Sequence, residues 1–233
     1  SSTVGTTGGN VAARWAEDVR MRQLFCALAF ALIAAPAWAQ GTEEEPQASV
    51  GSLASGLIGD ADAEGVFDIV PAEHQVAVRH TRSGLVCRMD PNGANRLIIF
   101  PEAARGEDVA CETSDGNATI KLYATRFSFR TNVADQLAGS ATAIQHHFPD
   151  ARPFQMTLRA SADGLPPSQT AHFLVHEANG PQQYTRVSVA MIHGWVFKLR
   201  YTAPAANDAA AQQAALVADR VWAEALSEIA PPH

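Results

Sequence analysis

Between residues 74 and 127 the apolar positions fall in short β-rich runs separated by turn residues. "HQVAVRH" (74–80) and "GLVCRM" (84–89) are joined by a Thr-Arg-Ser-Gly turn. "DPNGAN" (90–95) has the Pro, Gly and Asn content of a turn, and "RLIIF" (96–100) resumes the strand pattern. "VACET" (109–113) and "ATIKLYATRF" (118–127) flank "SDGN", a hairpin signal. These five segments predict a meander, with Cys87 on its second strand and Cys111 on its fourth.

The period then changes. Val133, Leu137, Ala141, Ile144 and Phe148 recur at spacings of three and four, one face of a helix. Thr131 or Asn132 can cap that helix, Asp135 suits its first turn, and Pro149 stops it. Strand patterns return in "FQMTLRA" (154–160), "TAHFLVHEA" (170–178), "YTRVSVAMIH" (184–193) and "WVFKLRYTA" (195–203), the last two linked tightly at His193-Gly194. Trp195, Phe197, Leu199 and Tyr201 alternate with Val196, Lys198 and Arg200, so one face of that strand is expected to be buried and the other largely wet. Residues 207–230 form a long helix with Asp208 as its expected cap, an apolar stripe of Ala215, Ala218, Trp222, Leu226 and Ile229, and Pro231-Pro232 beyond its end. Meander, helix, further antiparallel strands and a C-terminal helix make an α+β class, an antiparallel sheet with helices packed on it. That domain is expected to occupy 66–233.

The N-terminal pattern is of another kind. "MRQLFCALAFALIAAPAWAQ" (21–40) puts sixteen uncharged residues, Leu24 to Ala39, behind Arg20 and Arg22. A spanning helix needs about 20 apolar residues; this run is shorter, Ala-rich and interrupted by Pro36. Ala37-Trp38-Ala39 supplies small residues ahead of a cut before Gln40, so residues 21–39 read as a cleaved secretory signal peptide. Residues 1–20 lack an initiator Met and carry Glu17 and Asp18, and read as an upstream extension assigned to the chain in error. Residues 40–65 are small, acidic and Gly/Ser-rich, as in a linker, although Val50, Leu53 and Leu57 keep helical spacing for one or two turns.

Export changes how the remaining residues are read. Over the full 233 residues the net charge is −7; without residues 1–39 there remain 14 basic and 22 acidic residues, a net charge of −8. An acidic chain with no basic cluster is a poor ligand for nucleic acid or anionic lipid, and no stable membrane insertion is expected after the signal is removed. Twelve of those 14 basic residues are Arg, which with the abundant Ala and the short signal suggests a Gram-negative bacterial periplasm. With Cys26 removed, Cys87 and Cys111 are an even pair in an oxidising compartment and are expected to form a disulfide. Closing that loop stabilises the fold by roughly 3 to 3.5 kcal/mol on the chain-entropy account.

The search for chemistry returns mostly absences. His172 and His176 share one strand face, but their Cα atoms would lie about 13 Å apart, too far to chelate one ion. His146 and His147 close the first helix, where they suit its last carbonyls. His74 and His80 end one strand and are expected at the surface. Ser55 lacks the flanking glycines of a nucleophile elbow, and no zincin, EF-hand or phosphate-loop motif is present. Glu43-Glu44-Glu45 reads as a solvated run, and Asn117-Ala118-Thr119 as the exit of a hairpin. No catalytic residue, metal ligand or cofactor is therefore assigned. Lys121, Arg126, Lys198 and Arg200, with Tyr123, could gather into a basic patch if "IKLYATRF" and the last strand are neighbours, and are the candidate contact surface.

The order of elements, with the tight hairpin "HGWVFKLRYTAP" and the closing helix, resembles PsbP-like domains over about 75–230, and the "SGLVC" strand (83–87) is similar to one in exported bacterial proteins of unknown role. The resemblance implies a binding or assembly factor rather than an enzyme, and carries no site residues. The expected function is thus a periplasmic, non-catalytic binding factor acting on another envelope component. A small-ligand carrier, or a hydrolase or metalloenzyme with a dispersed site, is the alternative.

Overall fold

A computed structural model describes residues 49–156, 164–176 and 180–229. The signal, the upstream extension, Glu43-Glu44-Glu45, the C-terminal prolines and the end of the "FQMTLRA" segment lie outside them.

The chain enters through α1 (Val50–Asp60), whose first turn is capped by the Ser49 hydroxyl accepting from the Ser52 N–H at 3.2 Å. This is three turns of helix, where the spacing suggests one or two, and Ala54 is buried against the core with Leu53 and Leu57 packed beside it. Then follow β1 (Phe67–Ile69), β2 (Val76–His80), β3 (Val86–Met89), β4 (Ala94–Ile99), β5 (Asp108–Ser114) and β6 (Thr119–Thr125). After α2 (Val133–His147) come β7 (Arg152–Pro153), β8 (Ser168–His176), β9 (Gln182–Ile192), β10 (Trp195–Pro204) and α3 (Asp208–Glu228).

The architecture is α+β, and every strand pairing is antiparallel. The meander, however, is divided between two sheets. β1-β2-β3 form a three-stranded sheet, while β4-β5-β6-β10-β9-β8-β7 form a seven-stranded one. In the small sheet Val76, Ala77 and Val78 are consecutive and all buried, as are Val86 and Cys87. The Asp90–Gly93 turn, in which the Asp90 carboxylate accepts from the Asn92 N–H at 2.8 Å, carries the chain from one sheet to the other.

Cys87 on β3 and Cys111 on β5 are at bonding distance, Sγ–Sγ 2.07 Å and Cα–Cα 6.2 Å. They tie the two sheets together. On the same face of the large sheet, Leu122, Leu199, Phe197, Tyr201 and Tyr184 meet Ala211, Ala215, Ala218, Trp222 and Leu226 of α3 in the principal core. Ala at successive contact positions lets α3 lie close to the sheet. Its cap is Asn207, which accepts from the Ala210 N–H at 2.9 Å, rather than Asp208; Asp208 instead falls in the first turn, where its charge suits the helix dipole. Asn132 caps α2 in the same way.

α2 covers only part of the opposite face. Ile144 and Phe148 pack there on Phe173, Val175, Val187, Val189 and Val196 of β8, β9 and β10. Among the described residues, no helical side chain joins those of β4, β5 and β6 on that side, where Arg96 is exposed and Ile98, Lys121 and Tyr123 are half-buried. The turn between β9 and β10 places His193 and Gly194 at φ of 50° and 79°, the left-handed pair that a two-residue hairpin requires.

Candidate binding surface

Register fixes which side chains share the open face. One row across the sheet runs Arg96, Glu112, Lys121, Arg200, and the next Ile98, Ala110, Tyr123, Lys198. The sequence patch is therefore brought together in three of its four cations, with Tyr123 among them. Arg126 is not part of it: it follows the end of β6, has the opposite pleat parity, and is exposed.

Within the patch, Glu112 is gripped by Arg96 at 2.9 Å and Lys121 at 3.2 Å. Burial opposes its ionisation, but the two cations together hold its carboxyl below the usual range. The ammonium groups of Lys121 and Lys198 each lie 5.4 Å from the Tyr123 ring centroid, and Phe100 stacks on that ring at 6.3 Å. Lys198 and Arg200 are partly buried, a correction to the largely wet face expected for β10. Val196 on that face belongs to the α2 core, and the two cations are paired across β9 with Val189 and Val187 of the same core. Burial lowers the pKa of both, offset in part by Asp108 for Lys198 and by the Tyr123 phenol for Arg200. The loop that leaves β6 for α2 exposes Phe129 at 63 %.

Two other polar groupings lie apart from this patch. Arg186 on β9 is 2 % exposed and spends its guanidinium on Ser188 (2.6 Å), Asp219 (2.5 Å) and the Ala215 carbonyl (3.4 Å). Beside it the Nδ1 of His172 and the Tyr184 hydroxyl are 2.6 Å apart. Burial, with the nearby Arg186 charge, brings His172 down to about 4, and burial pushes the Tyr184 phenol up. The Arg186 bonds to Asp219 and to the Ala215 carbonyl pin α3 to the sheet. His176 is not its neighbour in any site, since it bonds Asp150 at 2.5 Å. The second grouping is a cleft of about 440 Å³ between α3, the Asp90 turn and the β5–β6 hairpin. Arg88 crosses it to Glu228 at 2.5 Å. Asp90 and Asp115 on its rim are occupied by turn N–H groups. Among the described residues no three His, Cys, Asp or Glu side chains are gathered to hold a metal ion.

His80 departs from expectation. It is wholly buried between Phe67 (ring centroids 5.4 Å) and Trp195 (5.3 Å), with Nδ1 against the Ser83 hydroxyl at 2.8 Å. Phe67 lies directly across the β1–β2 ladder from it. Because β1 is three residues long, the pattern of the sequence does not reveal it, nor that its Phe67 is one of the two rings that enclose His80. His74 is exposed as expected. Comparison with known proteins adds nothing to these assignments: no protein-family model matches the chain, and no curated protein is similar to it.

Proposed function

We propose that this protein is an exported, non-catalytic binding or assembly factor that engages another component of the bacterial envelope through the open part of its large sheet. The observation that carries the reading is the incomplete cover of that sheet. α2 shields the β8–β9 part, and the uncovered part holds Lys121, Tyr123, Lys198 and Arg200 in a chain whose net charge is −7. Arginine and aromatic rings, here Arg200 and Tyr123, are enriched where surfaces are recognised. The signal-like pattern of 21–39 and the Cys87–Cys111 pair support export to an oxidising compartment. Among the described residues no helix is long and apolar enough to cross a membrane. The PsbP-like order of elements points to binding rather than turnover.

The test uses Lys198→Gln with Arg200→Gln, since charge reversal at two partly buried positions would disturb the fold as well as the surface. Envelope complexes isolated with the parent chain should contain a component that the double variant loses at equal folded protein. Retention of every component, or turnover of a hydrolase or metal-dependent substrate panel by the purified parent, contradicts the reading.

A further inference from the structure

Lys121 and Arg200 stand directly opposite each other on β6 and β10. Like charges in that relation destabilise a sheet. Glu112, the one carboxylate in the row, is already shared between Arg96 and Lys121. In the next row Lys198 is held over the Tyr123 ring, and an aromatic face retains an ammonium without neutralising it. Lys198 and Arg200 are two positions apart on one pleat face, about 7 Å between Cα atoms. Among the described residues neither makes a hydrogen bond or an ion pair, although both are partly buried. Lys121 is matched by Glu112 and Lys198 is offset only in part by the Asp108 charge, while Arg200 has no carboxylate partner among the described residues; an anion placed between Lys198 and Arg200 would offset the cost of burying both.

We propose that Tyr123, Lys198 and Arg200 form a seat for a single oxyanion, a carboxylate or phosphate group, and that this group is the part of the partner that the sheet face recognises. Guanidinium and ammonium donors form their strongest hydrogen bonds with such groups, and a phenol hydroxyl beside them adds a neutral donor. The inference rests on the docking reading above but is tested apart from it.

The experiment is a titration of the full chain, followed by heteronuclear NMR, with inorganic phosphate and separately with glutarate, at ionic strength held constant with sodium chloride. The expected result is a saturable shift confined to the signals of Tyr123, Lys198 and Arg200, weakened about tenfold or more by Lys198→Gln with Arg200→Gln. Tighter binding of phosphate assigns a phosphate-bearing occupant, and tighter binding of glutarate a carboxylate-bearing one. Shifts that are linear in concentration, are spread over all basic residues, or survive in the double variant overturn the seat. If the double variant does not unfold cooperatively, Arg200→Gln alone carries the comparison. Saturable binding by the parent with no loss of an envelope component from the variant upholds the seat and overturns the docking reading. Loss of the component without saturable anion binding does the reverse.

Discussion

Acidification should destabilise this protein through His80, by an amount the structure allows one to work out. The imidazole is 0 % exposed, and its Nε2 has no hydrogen-bond partner. Burial, only partly offset by the Gly106 backbone, lowers its pKa from 6.5 to about 4, with the Arg82 charge adding to the depression. In the unfolded chain the same ring takes a proton near pH 6.5, so between pH 6.5 and 4 the unfolded state binds more protons than the folded one. Stability is therefore complete above pH 6.5 and declines as the pH falls towards 4. The full difference corresponds to about 3 kcal/mol, of which about 2 kcal/mol is lost by pH 5. Losses of that size are a large share of a typical folding free energy of about 5–15 kcal/mol. Urea unfolding at several pH values between 7.5 and 4.5 measures the decline; urea is preferred because guanidinium would add salt. His80→Gln, which cannot titrate, should have lower stability at neutral pH and a shallower decline, so that the gap between variant and parent narrows by about 2 kcal/mol at pH 5. A gap that stays constant across the range would show that His80 is not the buried neutral imidazole described here. His172, lowered for the same reason, contributes to the same window in both proteins and cancels in the comparison.

Three further outcomes are expected. Reduction of Cys87–Cys111, or its replacement by two alanines, should cost roughly 3 to 3.5 kcal/mol in urea unfolding by releasing the two sheets from each other; an unchanged midpoint would show that the bond constrains nothing. Asp219→Ala should destabilise by about 2 kcal/mol, less than the 3–5 kcal/mol of a fully buried pair because its side chain is 53 % exposed, and Arg186→Met in the same chain should recover part of the loss. Arg200→Gln should leave stability unchanged or raise it by about 0.5 kcal/mol, since it removes a like-charge pairing across the sheet; a loss above 1 kcal/mol would mean that Arg200 has a structural role.

How far the sequence discloses this fold depends on which interactions are local. The helices 133–147 and 208–228, the β5–β6 hairpin and the His193-Gly194 turn are legible because periodicity, caps and turn chemistry act within a few residues. The separation of β2–β3 from β4–β5–β6 is not, because hairpins joined end to end look alike whether or not the intervening turn changes sheet. The same limit explains the candidate site. Lys121 and Lys198 were recognisable as cations on strands, and the adjacency of β6 and β10 makes them neighbours, but Arg126 falls outside because the strand ends one residue before it. Lys198 and Arg200 stand across the β9–β10 ladder from Val189 and Val187, which belong to the core under α2. No local pattern in "WVFKLRYTA" encodes that.

The claim that matters most is that the open sheet face is where this protein binds. Site-specific photo-crosslinking tests it directly: p-benzoylphenylalanine at Ile98, which lies in the same row as Tyr123 and Lys198, compared with Glu73, an exposed position in the loop before β2. Irradiation of intact cells should give a discrete adduct from Ile98 that disappears with Lys198→Gln and Arg200→Gln, and none from Glu73. An adduct from Glu73 and not from Ile98, or one from Ile98 that persists in the double variant, would contradict the account.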